Sequence, residues 1–194
     1  MHTLIRAVAL ALTLQQAATV ARELAAQSSG GSPQPGNPAC PLVTEKEVEA
    51  ATGLDYDPGS PIEAQYESIP GAATCHWGGP GGGLSATGVV VRDDKPEIGI
   101  TLIADSPRGS YTEQQRKQRV QRGCTREPVR GIGSDAFAEV CEQAPYGVSV
   151  YARTGKRDVL VRVYHVERKG WSKASAKPTA IALARAAAGR AGGK

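Results

Sequence analysis

Four cysteines, Cys40, Cys75, Cys124 and Cys141, constrain what this chain can fold into more than any other feature of it. Their meaning depends on compartment, because disulfides persist outside the reducing cytosol and free thiols prevail inside it. The first residues point outward. Residues 1–6 carry one positive charge, residues 7–14 (AVALALTL) form a short apolar run, and Thr19-Val20-Ala21 offers small residues at a signal-peptidase site. The run falls far below the ~20 residues needed to span a bilayer. We therefore read residues 1–21 as a signal peptide, and expect a secreted or periplasmic protein with no transmembrane segment in the mature chain. The alternative is an N-terminal amphipathic helix interrupted by Gln15 and Gln16.

In an oxidising compartment four cysteines read as a disulfide framework with three allowed connectivities. The pairing Cys40–Cys75 with Cys124–Cys141 is expected, because each bond then staples one half of the chain. Loops of these lengths are worth about 3 to 4 kcal/mol in the chain-entropy model. That matters for a chain with only 5% aromatic residues, whose core must come from Val, Ile, Leu and Ala. A zinc site is the competing reading, but there is no C-x₂-C pair, and His76 beside Cys75 has no second histidine at ligand spacing. No metal and no cofactor are expected. Lipidation at Cys40 is not expected either, since Asn37-Pro38-Ala39 lacks the branched apolar residue that opens a lipobox.

The 194 residues fit one domain. Residues 22–39 contain the stretch AQSSGGSPQPGNPA, which cannot bury enough apolar surface to offset its ordering entropy and reads as a flexible linker. A disulfide-bonded domain then spans residues 40–190. Thr44-Glu45-Lys46-Glu47 is a capping box, with Val43 and Val48 at the positions of a hydrophobic staple and Gly53 as a left-handed stop, so a helix is expected over residues 45–52. A short strand is expected around Cys75-His76-Trp77. Residues 85–92 and the alternating Ile98, Ile100 and Leu102, joined by Asp93-Asp94-Lys95-Pro96, read as a hairpin. A second capping signal, Ser110-Tyr111-Thr112-Glu113, opens a polar helix expected to run to Arg122. A short strand over 134–140 follows. Val148, Val150 and Ala152, then Val159, Val161 and Val163, alternate around Thr154-Gly155-Lys156-Arg157 as another hairpin. Residues 178–188 (PTAIALARAAA) form an alanine-rich helix ending at Gly189. The order predicts an α+β fold: an antiparallel sheet with helices packed on one face, arranged as two helix-plus-strands cycles and a C-terminal helix.

Catalytic signatures are sparse. Gly131-Ile132-Gly133-Ser134-Asp135-Ala136 has the shape G-x-G-x-x-A, but no long helix follows it before Pro145, so it reads as a glycine turn feeding a strand. The run Gly78-Gly79-Pro80-Gly81-Gly82-Gly83 lacks the G-K-[ST] of a phosphate loop and reads as a hairpin loop. After the first 21 residues only His76 and His165 could serve as histidine bases, and neither accompanies a G-x-S-x-G turn. Trp77 and Trp171 are expected in the core or at its edge. The most usable surface feature is basic. Arg108, Arg116, Lys117, Arg119, Arg122, Arg126 and Arg130 cluster around the second helix, with Glu113 and Glu127 the acids among them. Such a stretch is either a solvated helix face or a surface that meets an anion, with Arg116, Lys117, Arg119 and Arg122 at its centre. No aromatic residues are interleaved to stack bases, so nucleic acid is not an expected partner.

The segment CPLVTEKEVEAATG, residues 40–53, followed by Cys75-His76-Trp77, resembles the opening of small exported bacterial proteins grouped with the domain of unknown function 3558. The stretch Val129-Arg130-Gly131-Ile132-Gly133-Ser134-Asp135-Ala136 resembles their Gly-x-Gly-Asp-x-Ala turn, with Ser134 where the Asp usually stands and Asp135 one place later. The likeness spans about residues 40–188. It implies an exported, sensor-like envelope domain and no particular chemistry. Members are typically lipoproteins, whereas a lipobox is absent here.

Together these features lead to a secreted or periplasmic, non-enzymatic binding or accessory domain of the cell envelope. Its partner is an anionic envelope component or a protein. The rival readings are an envelope hydrolase with an unrecognised site, and an inhibitor-like domain that acts on a protein partner.

Overall fold

Alternation of β-branched residues with polar ones builds the centre of the molecule. In this computed structural model, which describes residues 36–62, 67–78, 95–142, 147–164 and 171–192, seven strands form one sheet. They are β1 (Ser60–Pro61), β2 (Ala72–Trp77), β3 (Glu97–Ala104), β4 (Cys124–Pro128), β5 (Phe137–Cys141), β6 (Gly147–Thr154) and β7 (Arg157–Tyr164). Their spatial order is β1-β2-β3-β7-β6-β5-β4, and every neighbouring pair is antiparallel. The register brings the apolar positions of successive strands into rows. Ile100 stands opposite Cys75 and Val161, Val161 opposite Val150, and Val150 opposite Ala138. All of these are buried, each large aliphatic side chain contributing about 1.5–3 kcal/mol.

Two helices cover this face. Helix α1 (Glu45–Thr52) forms as its capping box dictates: the Thr44 side chain accepts from the Glu47 amide, Glu47 accepts from the Thr44 amide, and Gly53 closes it at φ +70°. The long C-terminal helix, Lys173–Ala191, which we number α3, lays Ala176, Ala180, Leu183, Ala184 and Ala187 against β6 and β7. Its Thr179 hydroxyl donates to the Ala51 carbonyl at 2.8 Å, and Arg190 donates to the Leu42 carbonyl at 2.7 Å and pairs with Glu47. Both tryptophans lie in this core, and the Trp77 indole packs against Gly59, where no Cβ would fit. The opposite face carries a smaller cluster of Ile69, Ile103, Phe137, Tyr151 and Leu160. Helix α2 (Tyr111–Lys117) sits there through Tyr111, whose ring lies 6.4 Å from that of Tyr151. The strands of the two cycles therefore meet along the β3–β7 ladder, and their helices lie on different faces rather than on the one face expected, because Tyr111 anchors α2 to the second cluster.

The α+β architecture, α1, the β6–β7 hairpin and both disulfides are as expected. Four details differ. Helix α2 stops at Lys117 rather than Arg122, because Arg126 Nη1 donates to the carbonyls of Arg116 and Gln118 and holds the chain as it turns away. Strand β4 was not foreseen; its polar sequence carries no apolar alternation, and pairing with β5 makes it a strand. Helix α3 begins at Lys173, five residues before the expected start, with Pro178 inside it. A proline there removes a backbone hydrogen bond, but the core position of Ala176 holds the first turns in place. Gly189 stays right-handed and does not end the helix, which runs on through the Arg190 contacts. Residues 85–92, expected to pair with β3, lie outside the described residues. From Ile98 to Ile103 that strand bonds to β2 on one side and β7 on the other, an arrangement that keeps Cys75 and Trp77 in the core. Among the described residues no helix is long and apolar enough to cross a membrane.

Candidate functional site

The two disulfides lie on opposite faces of the sheet. Cys40–Cys75 ties the 3₁₀ turn Cys40–Leu42 to β2 beneath the helices, and Cys124–Cys141 joins the terminal register pair of β4 and β5 on the other side. Glu139 brings a carboxylate within 4.8 Å of Cys124 and Cys141, a grouping of metal-ligand types. The two sulfurs are bonded to each other and Glu139 accepts from Arg126, so the oxidised protein offers no thiolate there.

The four central basic residues divide into two pairs. Arg116 forms an ion pair with Asp135 and stands 5.5 Å from the Phe137 ring centre. Lys117 pairs with Glu113 one helical turn earlier at 2.6 Å. Arg119 and Arg122, released from the helix by its early end, are exposed and have no partner among the described residues. Arg126, also in the basic stretch, is largely enclosed between Glu139 at 2.6 Å and the Phe137 ring at 4.9 Å, which makes it a structural residue. Arg108 and Arg130 are exposed. The remaining acid of the region, Glu127, is held by Lys177 of α3.

Beneath α2 lies a network that no sequence motif announced. Asp158 on β7 is fully buried and accepts from the Ser110 hydroxyl at 2.7 Å, from the Tyr111 amide at 2.8 Å and from Arg153 Nη1 at 3.2 Å. Arg153 also clasps Asp105, whose carboxyl the guanidinium holds below its ordinary range. Ser110 and Asp158 thus answer the free amides at the start of α2 and fix the helix to the sheet. The only local trace was Ser110 as an N-cap, because Asp158 comes 48 residues later.

The other sequence candidates fall into place as structure. The glycine turn bends at Gly131 and Gly133, anchors its buried Ile132 in the core and leads into β5, with no helix after it. His76 is buried with both ring nitrogens unpartnered among the described residues, and burial pushes its pKa down. Residues 79–83 of the second glycine run and His165 lie outside the described residues. No protein-family model, curated protein or solved structure matches the chain.

Proposed function

We propose that this is a non-enzymatic binding domain of the cell envelope, secreted or periplasmic, that meets an anionic envelope component through the cationic surface beyond the end of α2. A charge imbalance carries the reading. Arg119, Arg122 and Arg130 are exposed without a counter-ion among the described residues, while Glu113, Asp135, Glu139 and Glu127 are each already held by another cation. Unpaired guanidinium groups present fixed forks of donors suited to phosphate and carboxylate. They stand on a stiff base, because Arg126 binds the end of α2 to β4 and a disulfide closes β4 onto β5. The two disulfides and the resemblance of residues 40–53, 75–77 and 129–136 to exported proteins of the domain-of-unknown-function 3558 type support an envelope location.

Co-sedimentation with phosphatidylglycerol vesicles tests the idea, with phosphatidylcholine vesicles as the neutral control. The wild type should bind the anionic vesicles alone and lose them as salt screens the contact. The double variant Arg119→Glu, Arg122→Glu should bind at least about tenfold more weakly, since two reversed charges oppose the anionic surface. Equal binding by the variant, or none by the wild type, refutes the reading.

A further inference from the structure

A groove of about 340 Å³ is lined by the glycine turn (Gly131, Ile132, Gly133, Ser134), by Thr154 and Gly155 of the β6–β7 turn, and by the last turns of α3. That volume lies at the small end of the range, about 300–1,000 Å³, typical of small-molecule sites. Five of its eleven lining residues are glycines, and these have different causes. Gly131 and Gly155 turn the chain at φ +76° and +61°. At Gly133 a Cβ would fall on the Arg153 carbonyl, which accepts from the Ser134 amide. Gly189 has no such cause: it is right-handed, inside a helix, and a Cβ there would meet nothing within 4 Å. Its neighbours Ala186, Ala187 and Ala188 are the residues a helix favours over glycine. A larger side chain at this lining position would narrow the groove.

The two walls differ in chemistry. On one side stand donors: the amides of Gly131, Ile132 and Gly133, which bond to no backbone carbonyl among the described residues, and the exposed Ser134 hydroxyl. Across the groove from them, α3 presents Arg185, an exposed guanidinium that has no partner among the described residues. Arg153 also contributes to the lining, but its guanidinium is engaged by Asp105 and Asp158. The last turn of α3 also supplies acceptors, since terminal carbonyls have no donor within the helix; those of Ala188 and Arg190 are answered by the Gly192 amide. Among the described residues no acidic side chain lines the groove. A molecule with an oxyanion and neighbouring hydroxyls matches both walls.

We propose that this groove binds a hydroxylated oxyanion, a sugar carrying a phosphate or a carboxylate, with the oxyanion toward Arg185 and the glycine-turn amides and the hydroxyls donating to the carbonyls that end α3. The site is separate from the cationic surface beyond α2 and does not depend on it. Glucose 6-phosphate and glucuronate distinguish the two kinds of oxyanion, and glucose and inorganic phosphate supply each half of the recognition alone. In amide NMR titrations of the disulfide-bonded protein, one or both of the first two should shift Gly131, Ile132, Gly133, Gly155 and Gly189, and each half alone should bind more weakly. Arg185→Glu should weaken binding at least tenfold. So should Gly189→Leu, which places a side chain in the groove at a helical position with open space. The Arg119→Glu, Arg122→Glu variant should bind as the wild type does, so failure here and failure of the vesicle experiment remain distinguishable. The proposal is overturned if neither sugar anion shifts these amides up to on the order of 10 mM. It is equally overturned if glucose or phosphate alone binds as tightly, or if neither groove variant weakens binding.

Discussion

Replacing Asp158 by alanine should cost this domain a large part of its stability, and the size follows from what the carboxylate holds. It is fully buried and accepts two neutral donors, the Ser110 hydroxyl and the Tyr111 amide, together with Arg153. Hydrogen bonds to a charged group are worth about 1.5–3 kcal/mol each. Removing one partner of a buried ion pair costs about 3–5 kcal/mol, because the other is left uncompensated. Arg153 keeps Asp105, which confines the loss to that range instead of the sum of the three bonds. We expect about 3–5 kcal/mol for Asp158→Ala, against the 5–15 kcal/mol typical of a whole domain. Asp158→Asn should lose less, since its amide oxygen can still accept from Ser110 or Tyr111. Urea unfolding without reductant, followed by fluorescence of the core residues Trp77 and Trp171, measures both. Hydrogen exchange at the Tyr111 amide should accelerate together with the loss. A change below about 1 kcal/mol for the alanine variant would refute the view that this network fastens α2 to the sheet.

Two further outcomes follow from buried groups and tight turns. Acid should weaken the fold in two separable windows. His76 is kept neutral by burial, so below about pH 6.5 the unfolded chain takes up a proton that the folded one resists. Glu47 is lowered to about 2, chiefly by its hydrogen bond from Arg190, so the stability it contributes above about pH 4.5 is lost as pH falls toward 2. Glu97, raised by burial, works in the opposite sense, and its contribution is lost as pH rises through its folded value. His76→Leu should abolish the upper window and Glu47→Gln the lower one; thermal unfolding from pH 7 to 3 in which both variants follow the wild-type curve would contradict this assignment. Among the glycines, Gly133→Ala should destabilise strongly, since it combines φ +58° with a collision against the Arg153 carbonyl, whereas Gly189→Ala should stabilise α3 by up to about 1 kcal/mol. Thermal melts of the two proteins give the comparison, and a Gly133→Ala variant as stable as the wild type would show that the turn can move.

What the residues determined on their own was local or periodic. The Thr44–Glu47 capping box and Gly53 set both ends of α1 because each contact spans a few residues. The period-2 runs of β3, β6 and β7 specified their buried faces, and Thr154 to Arg157 set a hairpin of matching register. Four cysteines in an exported pattern reduced the framework to three pairings, of which the one that staples each half is present. The tertiary structure decided what required a distant partner. Arg126 ends α2 from outside the helix, Asp158 fastens its first turn from 48 residues away, and β5 makes a strand of polar β4. The basic stretch was legible as a run of charge, but its division into paired Arg116 and Lys117 and unpaired Arg119 and Arg122 was not. Neither was the groove, whose walls come from three separate segments and whose chemistry is largely that of main-chain groups. A sequence spells out side chains and their spacing; where backbone amides and carbonyls converge, and which charge finds a counter-charge, is settled only when the chain packs.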